Sequence, residues 1–365
     1  MNSNILLLYS NCIPLKGASR SSIIDLQLGQ IHFMPNGIFD LMEEQRFFQI
    51  DAVLSRLDAK SSVVFKEYVT FLIERDLAFY CQHGDIASYP PLTLEWEFPA
   101  LITNCIIDSN GVVDYFSLKF LSQLSEVCCN HLQFRFYNVI SLDYLAELIE
   151  LINDSQIKTV EFVLPYQEDK SFMERAKSFI VEHKKIETII IHSARQEEIF
   201  YGDQNHGRIL TTKSVITDAS HCGTINPLFF AVNISHFSES LSHNTCLNRK
   251  ISIDVSGNIK NCPSMQQTFG LVNEVRLWEV AQNKDFQKHW NIAKEQISSC
   301  QHCEFRHVCT DCRAYIEDPS DNYSKPLKCG YDPFTCEWGE WSQQAVKQPA
   351  ISQYQLKDFL KASNV

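Results

Sequence analysis

The sequence predicts an α/β protein made of a small N-terminal module, a partial (β/α) barrel and a cysteine-rich C-terminal domain. Short apolar runs alternate with amphipathic helical runs over residues 97–215, which is typical of βα units and a parallel sheet. Three short strand-like runs precede helices in residues 1–82, as in a winged helix. Nine of the fourteen cysteines fall between Cys222 and Cys336, so the chemistry is concentrated in the last third of the chain.

Composition and charge exclude several classes of protein. The chain has 365 residues and a net charge of −12, and an acidic surface disfavours nucleic acid, whose phosphates need basic side chains. No run approaches the ~20 apolar residues that span a bilayer, and the N-terminus lacks the basic start of a secretory signal. We therefore expect a cytoplasmic protein that binds neither nucleic acid nor membrane. In that compartment, clustered cysteines indicate metal binding rather than disulfides.

Residues 1–82 form the predicted N-terminal module. Its strand-like runs are NILLLYS, SSIIDLQ and QIHFMP, with glycines at the breaks. The run SSVVFKEYVTFLIERD has apolar side chains at helical spacing, and LAFYC closes the module as a short strand. Residues 83–96 begin with HGDIASYPPL, whose prolines and polar residues indicate a linker.

Residues 97–215 repeat strand and helix at a period of roughly 27–30 residues. The pairs are ALITNCIIDS with FSLKFLSQLSEVCC, HLQFRFY with SLDYLAELIELIND, and TVEFVLP with SFMERAKSFIVEH, followed by ETIIIHS. No glycine-rich phosphate loop follows a strand, so no nucleotide site of that kind is predicted. His192 ends the last of these strands, at the edge where barrel active sites lie, and we interpret it as a packed histidine or the remnant of a site.

Residues 216–345 form the predicted cysteine-rich domain, and residues 346–365 a C-terminal tail. The segment CQHCEFRHVCTDC contains two CxxC pairs, and each pair can direct two sulfurs at one metal. The predicted hairpin KISIDVSGNIKNCP carries a further cysteine. Seven or more thiols exceed the four that one tetrahedral zinc ion needs, which indicates two metal centres. The residue types alone are compatible with structural zinc and with iron–sulfur clusters.

The spacing over residues 246–330 resembles the SPASM domain, the auxiliary-cluster module at the C-terminus of many radical S-adenosylmethionine peptide maturases. The segments CEFRHVCTDCRAY and KPLKCGYDPFTCEW further resemble the SPASM-domain peptide maturases of grasp-with-spasm systems. Those systems pair such a protein with an ATP-grasp ligase and a ribosomally made precursor peptide. One step departs from the family pattern, because two residues rather than three, Thr310 and Asp311, separate the final pair of the cysteine run.

The resemblance implies two 4Fe–4S clusters, with zinc as the alternative. The ligands of an outer cluster would be Cys300, Cys303, Cys309 and Cys329. Those of an inner cluster would be Cys246, Cys262 and Cys312. Cys222 would be the fourth inner ligand, with His243 or an open iron site as alternatives. Cys336 is interpreted as a bystander.

The resemblance ends at the cysteine triad that holds the S-adenosylmethionine cluster in that family. The triad follows the first barrel strand at spacings of three and two residues, whereas LITNCIIDS is followed here by NGVVDYFSLKF, which has no cysteine. We therefore expect a degenerate barrel that uses neither S-adenosylmethionine nor ordinary radical chemistry. No catalytic residue is assigned, and whether the protein is an enzyme stays open. The neighbours Asp218, His221 and Cys222 form a triplet of a kind that often arises by chance.

The N-terminal module resembles the peptide-recognition elements of peptide-modifying enzymes, over NCIPLKGASRSSIIDLQ and the helices that follow. Such elements bind a leader peptide as an added strand beside their third strand and against their third helix. The peptide site implied here consists of Gln30, Ile31, His32, Phe33, Phe65, Tyr68 and Val69. The alternative is a structural subdomain whose sheet edge is covered.

Together these resemblances imply an iron–sulfur partner in the maturation of a ribosomally synthesised peptide. The protein would bind the leader of the precursor peptide and present the peptide to an ATP-grasp ligase. The alternatives are a redox-active peptide-modifying enzyme that uses the clusters, and a zinc-stabilised interaction scaffold.

Overall fold

A computed structural model describes residues 4–169, 171–203 and 206–356. The strands are β1 (Asn4–Leu8), β2 (Cys12–Lys16), β3 (Arg20–Asp25), β4 (Gln30–Pro35), β5 (Phe47–Gln49), β6 (Ala78–Gln82), β7 (Asn104–Ser109), β8 (His131–Phe136), β9 (Thr159–Pro165), β10 (Ile186–His192), β11 (Ile199–Tyr201), β12 (Arg208–Thr211), β13 (Lys250–Ile253), β14 (Ile259–Lys260), β15 (Tyr331–Asp332) and β16 (Glu337–Trp338). The helices are α1 (Asn36–Phe39), α2 (Ile50–Arg56), α3 (Ala59–Glu74), α4 (Leu118–Glu126), α5 (Leu142–Asn153), α6 (Phe172–Glu182), α7 (Ile234–Ser240), α8 (Leu277–Gln282), α9 (Lys284–Gln287) and α10 (Gln348–Gln353). None of the described helices has the length and apolar character needed to cross a membrane.

The N-terminal module contains two antiparallel three-stranded sheets, in the orders β5-β1-β6 and β2-β3-β4. The three predicted strand runs form β1, β3 and β4, and the run CIPLK adds the unpredicted β2. Helix α3 is capped by Asp58, whose carboxylate accepts a hydrogen bond from the backbone N–H of Ser61. Its apolar stripe of Phe65, Val69 and Leu72 is buried in the core of the module. The predicted winged-helix arrangement rested on three strands, whereas the module also contains β2 and β5. The arrangement therefore stays a prediction.

The central part is an eight-stranded sheet in the order β11-β12-β10-β9-β8-β7-β13-β14. Strands β7 to β10, β12 and β13 run parallel, while β11 and β14 are antiparallel edge strands. The helices α4 and α5 begin at Ser117 and Ser141, whose hydroxyls cap the first turn. The predicted α/β class with a parallel sheet is therefore confirmed.

The cysteine-rich segment contributes β13 and β14 to that sheet, as the hairpin that the sequence predicts. The sequence EVRLWEVAQNKDFQKHWNIAKEQI, residues 274–297, predicts one long helix. This prediction is wrong in extent, because Asn283 has an extended backbone and caps a second short helix. The described part of the C-terminal segment is not a surface tail, since Lys347, Ala350 and Ile351 are buried. Residues 357–365 lie outside the described residues.

The sheet β2-β3-β4 lies between α3 and the cysteine-rich domain. Side chains alternate along β3, so Ile23 enters the module core while Ile24 packs with Phe305 and Cys309 of the cysteine-rich domain. The segment that we interpret as a linker packs Leu92 against the same cluster. The N-terminal module is thereby fixed against the part of the chain that carries the predicted metal ligands.

Candidate metal centres

The four predicted outer cysteines line one cavity, and we call them the outer thiol group (Cys300, Cys303, Cys309, Cys329). The cavity has a volume of about 20 Å³. Its walls are largely apolar and aromatic, and include Phe230, Phe305, Tyr331 and Trp338. Tight turns position the thiols: the N–H of Cys303 donates to the carbonyl of Cys300 at 2.9 Å.

Burial makes these thiols poor acids while no metal is bound. It raises the pKa of Cys300 to about 12 and that of Cys309 to about 11, although the Lys294 ammonium opposes both shifts. It also raises the pKa of Cys303 well above its ordinary value. Thiols of this kind hold their protons at neutral pH, and a bound metal would displace the protons and supply the compensating charge.

Hydrogen-bond donors point at the outer sulfurs. Lys294 is buried, and its Nζ lies 3.4 Å from the Cys309 Sγ and 3.2 Å from the Thr310 carbonyl. Burial lowers the pKa of Lys294, but the acidic groups around it, Cys309 first and then Asp311, raise it by more, so the net shift is upward. The backbone N–H of Phe305 donates to the Cys303 Sγ at 3.4 Å. Donors to ligating sulfurs of this type stabilise thiolates and tune a cluster.

A second set of four cysteines, the inner thiol group (Cys222, Cys246, Cys262, Cys312), also comes together. Burial raises the pKa of Cys312, and the other three cysteines are near enough to raise it further. Gly223 has a φ of 88°, and a Cβ built on it would lie 2.7 Å from the Cys312 Sγ. The backbone therefore packs against this sulfur at a place that only glycine allows. The inner sulfurs also have an ammonium neighbour, because Lys250 Nζ lies 3.8 Å from Cys246 Sγ.

The donor sets fit iron–sulfur clusters in number and chemistry. Each group supplies four thiols, which is the number of ligands that a 4Fe–4S cluster takes. A cluster binds each cysteine through a different iron, whereas zinc needs all four donors within about 2.3 Å of one point. Among the described residues, no three His, Cys, Asp or Glu side chains form a group that could hold one metal ion. The described chain thus contains no preassembled tetrahedral zinc site.

The other candidate ligands lie apart from the inner sulfurs. The His243 ring bonds Asn291 at 2.9 Å and packs on Trp96 at 5.1 Å, so its contacts are not with the inner thiol group. Cys336 lies beside Tyr331 at the rim of the outer cavity. Cys222, in contrast to the other inner cysteines, is exposed.

Sequence reasoning missed four lysines around the two thiol groups, of which Lys294, Lys328 and Lys347 are buried and Lys250 is half-buried. Lys328 Nζ donates to the carbonyls of Ser220 and Cys222, and Lys347 Nζ donates to the carbonyl of Cys329 at 2.5 Å. Burial lowers the pKa of Lys328 and of Lys347 to about 8. Two four-iron clusters with thiolate ligands would be anionic, and buried ammonium groups would offset that charge. The only sequence signal was the closeness of Lys250 and Lys328 to cysteines.

The predicted peptide residues occupy β4 and α3. β4 is an edge strand of its sheet, with Gln30 to Phe33 along it. His32 faces α3 and packs on Phe71 at 6.1 Å, whereas Phe33 faces the cysteine-rich domain and packs on Phe305 at 5.7 Å. Phe65 and Val69 are buried in the module core, which leaves Tyr68 as the half-buried predicted contact on the helix.

The carboxyl edge of the parallel sheet carries a buried polar network. Arg135 on β8 bonds the opposite Asp108 on β7 through Nε at 2.6 Å and Nη2 at 2.8 Å, and the Tyr137 hydroxyl donates to Asp108 at 2.6 Å. His192 is buried at the end of β10, and burial lowers its pKa. Arg135 lies close to Cys222, so the network adjoins the inner thiol group.

Asp218, His221 and Cys222 do not form a catalytic triad. The Asp218 carboxylate and the His221 ring are 4.0 Å apart, beyond hydrogen-bond distance, and the carboxylate instead caps a short turn through the N–H of Ser220. Cysteines outside the two groups are mostly buried or half-buried, as expected for apolar packing. The apolar sequence around Cys128 predicts a packed side chain, and this prediction is wrong, because Cys128 is exposed, with a φ of 58°.

No protein-family profile matches the chain, and no curated protein does. Similar solved structures include three crystal structures of SuiB from Streptococcus suis. One has 9% identity and a TM-score of 0.31 over 87% of this chain and 98% of SuiB. Another, bound to S-adenosylmethionine, has 9% identity and a TM-score of 0.32 over 93% and 99%. A third, bound to the precursor peptide SuiA, has 10% identity and a TM-score of 0.31 over 94% and 100%. Values this low establish neither a common fold nor a common function.

Proposed function

We propose that this protein is an iron–sulfur partner in the maturation of a ribosomally synthesised peptide. It holds a 4Fe–4S cluster on each thiol group, binds the leader of a precursor peptide along β4, and presents the peptide to an ATP-grasp ligase. The observation that carries the proposal is the gathering of eight cysteines into two groups of four, seven of them buried or half-buried, with the outer group directly beneath the sheet that ends in β4.

The residues of the two thiol groups and of β4 would have separate roles. The eight thiolates hold the clusters, which supply electron transfer or structural cross-linking when bound. Lys294 and Lys250 donate toward Cys309 and Cys246, and so stabilise the thiolate form. The aromatic walls of the outer cavity exclude water. β4 offers unpaired backbone groups to an extended peptide, which gives affinity without demanding a fixed peptide sequence.

A non-radical role is supported by the loop after β7. The three cysteines that would hold a cluster open to S-adenosylmethionine are absent from residues 110–120. Val113 and Phe116 from this loop are instead buried in the core of the central sheet. At the edge of that sheet, Asp108 is committed to Arg135 and Tyr137.

One observation favours a redox-active peptide-modifying enzyme as the second candidate. Cys222 is exposed, yet it lies close to the buried Cys312 and to Arg135 at the carboxyl edge of the sheet. A cluster with one ligand at the surface could exchange electrons with a bound peptide. The zinc-stabilised scaffold is the third candidate.

Iron, sulfide and zinc analysis of the anaerobically purified chain tests the proposal. We expect about eight iron and eight sulfide per chain, and a loss of about half from Cys303→Ser and, separately, from Cys312→Ser. Cys128→Ser, which alters an exposed cysteine outside both groups, is the matched control and should change nothing. One or two zinc ions without iron would replace the proposal by the scaffold. About twelve iron would mean a third cluster and would reopen radical chemistry.

A further inference from the structure

The segment that carries Cys303 has two sides, and each side has a different partner. Cys303 and Phe305 line the outer cavity. The residues between and beside them bond the N-terminal module instead. The His302 carbonyl accepts from the Ala18 N–H at 2.8 Å, and the Glu304 carbonyl accepts from the Ser22 hydroxyl at 2.8 Å.

A buried ion pair strengthens the same contact. Arg20 Nε on β3 donates to the Glu304 carboxylate at 2.6 Å, and Glu304 has no solvent exposure. The Tyr331 hydroxyl, from the wall of the outer cavity, donates to the same carboxylate oxygen. Arg306 adds a hydrogen bond from Nη1 to the Lys16 carbonyl at 2.8 Å. A buried charge that loses its partner is costly, so this contact depends on accurate positioning of Glu304.

The contact extends to the edge strand. The Arg20 guanidinium lies 3.8 Å from the centre of the Phe33 ring on β4, and Phe33 packs edge-on against Phe305. Phe305 in turn lines the outer cavity and packs on Tyr331 at 5.1 Å. A continuous set of packed side chains therefore joins the outer thiols to the strand on which we place the leader.

From this geometry we propose that the metal state of the outer thiol group controls the order of the β2-β3-β4 sheet, and thereby the readiness of β4 to pair with a peptide. With metal bound, Cys303 is fixed, and residues 302–306 hold the β2–β3 turn and Phe33 in place. Without metal, the segment loses its anchor on the cavity side and the sheet loosens. Among the described residues, no hydrogen bond joins a cysteine of the inner thiol group to the N-terminal module. This inference rests on the proposed metal centres and adds a regulatory link to them.

Hydrogen–deuterium exchange of the full-length protein tests the link without any peptide. The anaerobically reconstituted wild type is compared with Cys303→Ser and with Cys312→Ser, and metal content is measured on each sample. We expect amide exchange over residues 17–35 to rise about tenfold or more in Cys303→Ser. Exchange over β1 and β6, which belong to the other sheet of the module, should stay unchanged. Cys312→Ser, which alters the inner group, should leave residues 17–35 protected.

A second variant removes the link while leaving every cysteine in place. Arg20→Gln should keep the full metal content and raise exchange over residues 17–35. The matched control is Arg46→Gln, which alters an arginine of the same module that donates to the Tyr89 carbonyl. It should change neither the metal content nor the exchange over residues 17–35.

The outcomes separate the two claims. Loss of outer metal with unchanged exchange over residues 17–35 would overturn the link and leave the metal proposal standing. An equal rise over the whole module would also overturn it, because that result reports general unfolding. A wild type that binds no metal would refute the proposed function and the link with it.

Discussion

Replacing Lys294 by methionine probes the outer thiol group most sharply. Methionine has a side chain of similar length to lysine, so the change removes a buried positive charge and leaves every cysteine in place. Lys294 Nζ lies 3.4 Å from Cys309 Sγ. At that distance and an effective dielectric constant of ~20, two unit charges interact by about 5 kcal/mol. The charge of an added electron is spread over a whole cluster, so we expect its interaction with Lys294 to be weaker, about 2 kcal/mol. Loss of this interaction corresponds to a change of ~90 mV in the reduction potential for one electron.

The sign of this shift follows from charge alone. A reduced cluster is more negative than an oxidised one, so loss of a neighbouring cation disfavours reduction and lowers the potential. An anaerobic redox titration followed by electron paramagnetic resonance measures the potential, with iron content determined on the same samples. The control is Lys177→Met, which alters a lysine paired with Glu174 on the surface of α6. It should leave the reduction potentials of both clusters unchanged. A Lys294→Met shift below about 20 mV, or an upward shift, at full iron content would refute the assigned role of Lys294.

Three further predictions concern the sheet edge, the inner group and acid stability. Arg135→Leu should destabilise the protein by about 3–5 kcal/mol in urea unfolding because Asp108 is left buried, and adding Asp108→Leu should restore much of the loss; equal or additive costs would contradict a coupled pair. Gly223→Ala should remove about half the iron, because its Cβ would strike the Cys312 sulfur, and full iron content would show that the contact relaxes. Burial lowers the pKa of His289 to about 4, so the contribution of the neutral ring to stability is present above pH 6.5 and is lost as the pH falls toward 4. His289→Gln should therefore reduce the fall in unfolding free energy between pH 7 and pH 5 by about 1–2 kcal/mol. An unchanged pH profile would contradict the lowered pKa.

The parallel sheet was predictable because its signals are local. The strands β7, β9 and β10 each contain a short apolar run, and β8 alternates apolar and polar side chains. The helices between them have a clear apolar stripe, and a serine caps α4 and α5. The cysteine groups were also suggested by spacing, because CxxC pairs direct neighbouring sulfurs to one side of a turn. The placement of Cys222 beside Cys246, Cys262 and Cys312 is a long-range contact, and it came only from the family resemblance.

Other features depend on burial, which spacing does not reveal. Lys294 looks like any surface lysine in the sequence, yet it is buried with its ammonium against a cysteine. The strand β2 contains Pro14, which weakens a strand pattern, although the pairing with β3 tolerates it. The contact of Arg20 with Glu304 joins residues 284 positions apart and has no local signal. Tertiary packing decides all three.

The central claim is that metal clusters occupy these two thiol groups. It is tested most directly by crystals of the anaerobically reconstituted protein and an anomalous difference map recorded at the iron absorption edge. Our account predicts one iron peak within the outer thiol group and one within the inner thiol group, with none beside residues 110–120. Peaks at the zinc edge alone, or an iron peak at the carboxyl edge of β7, would contradict it.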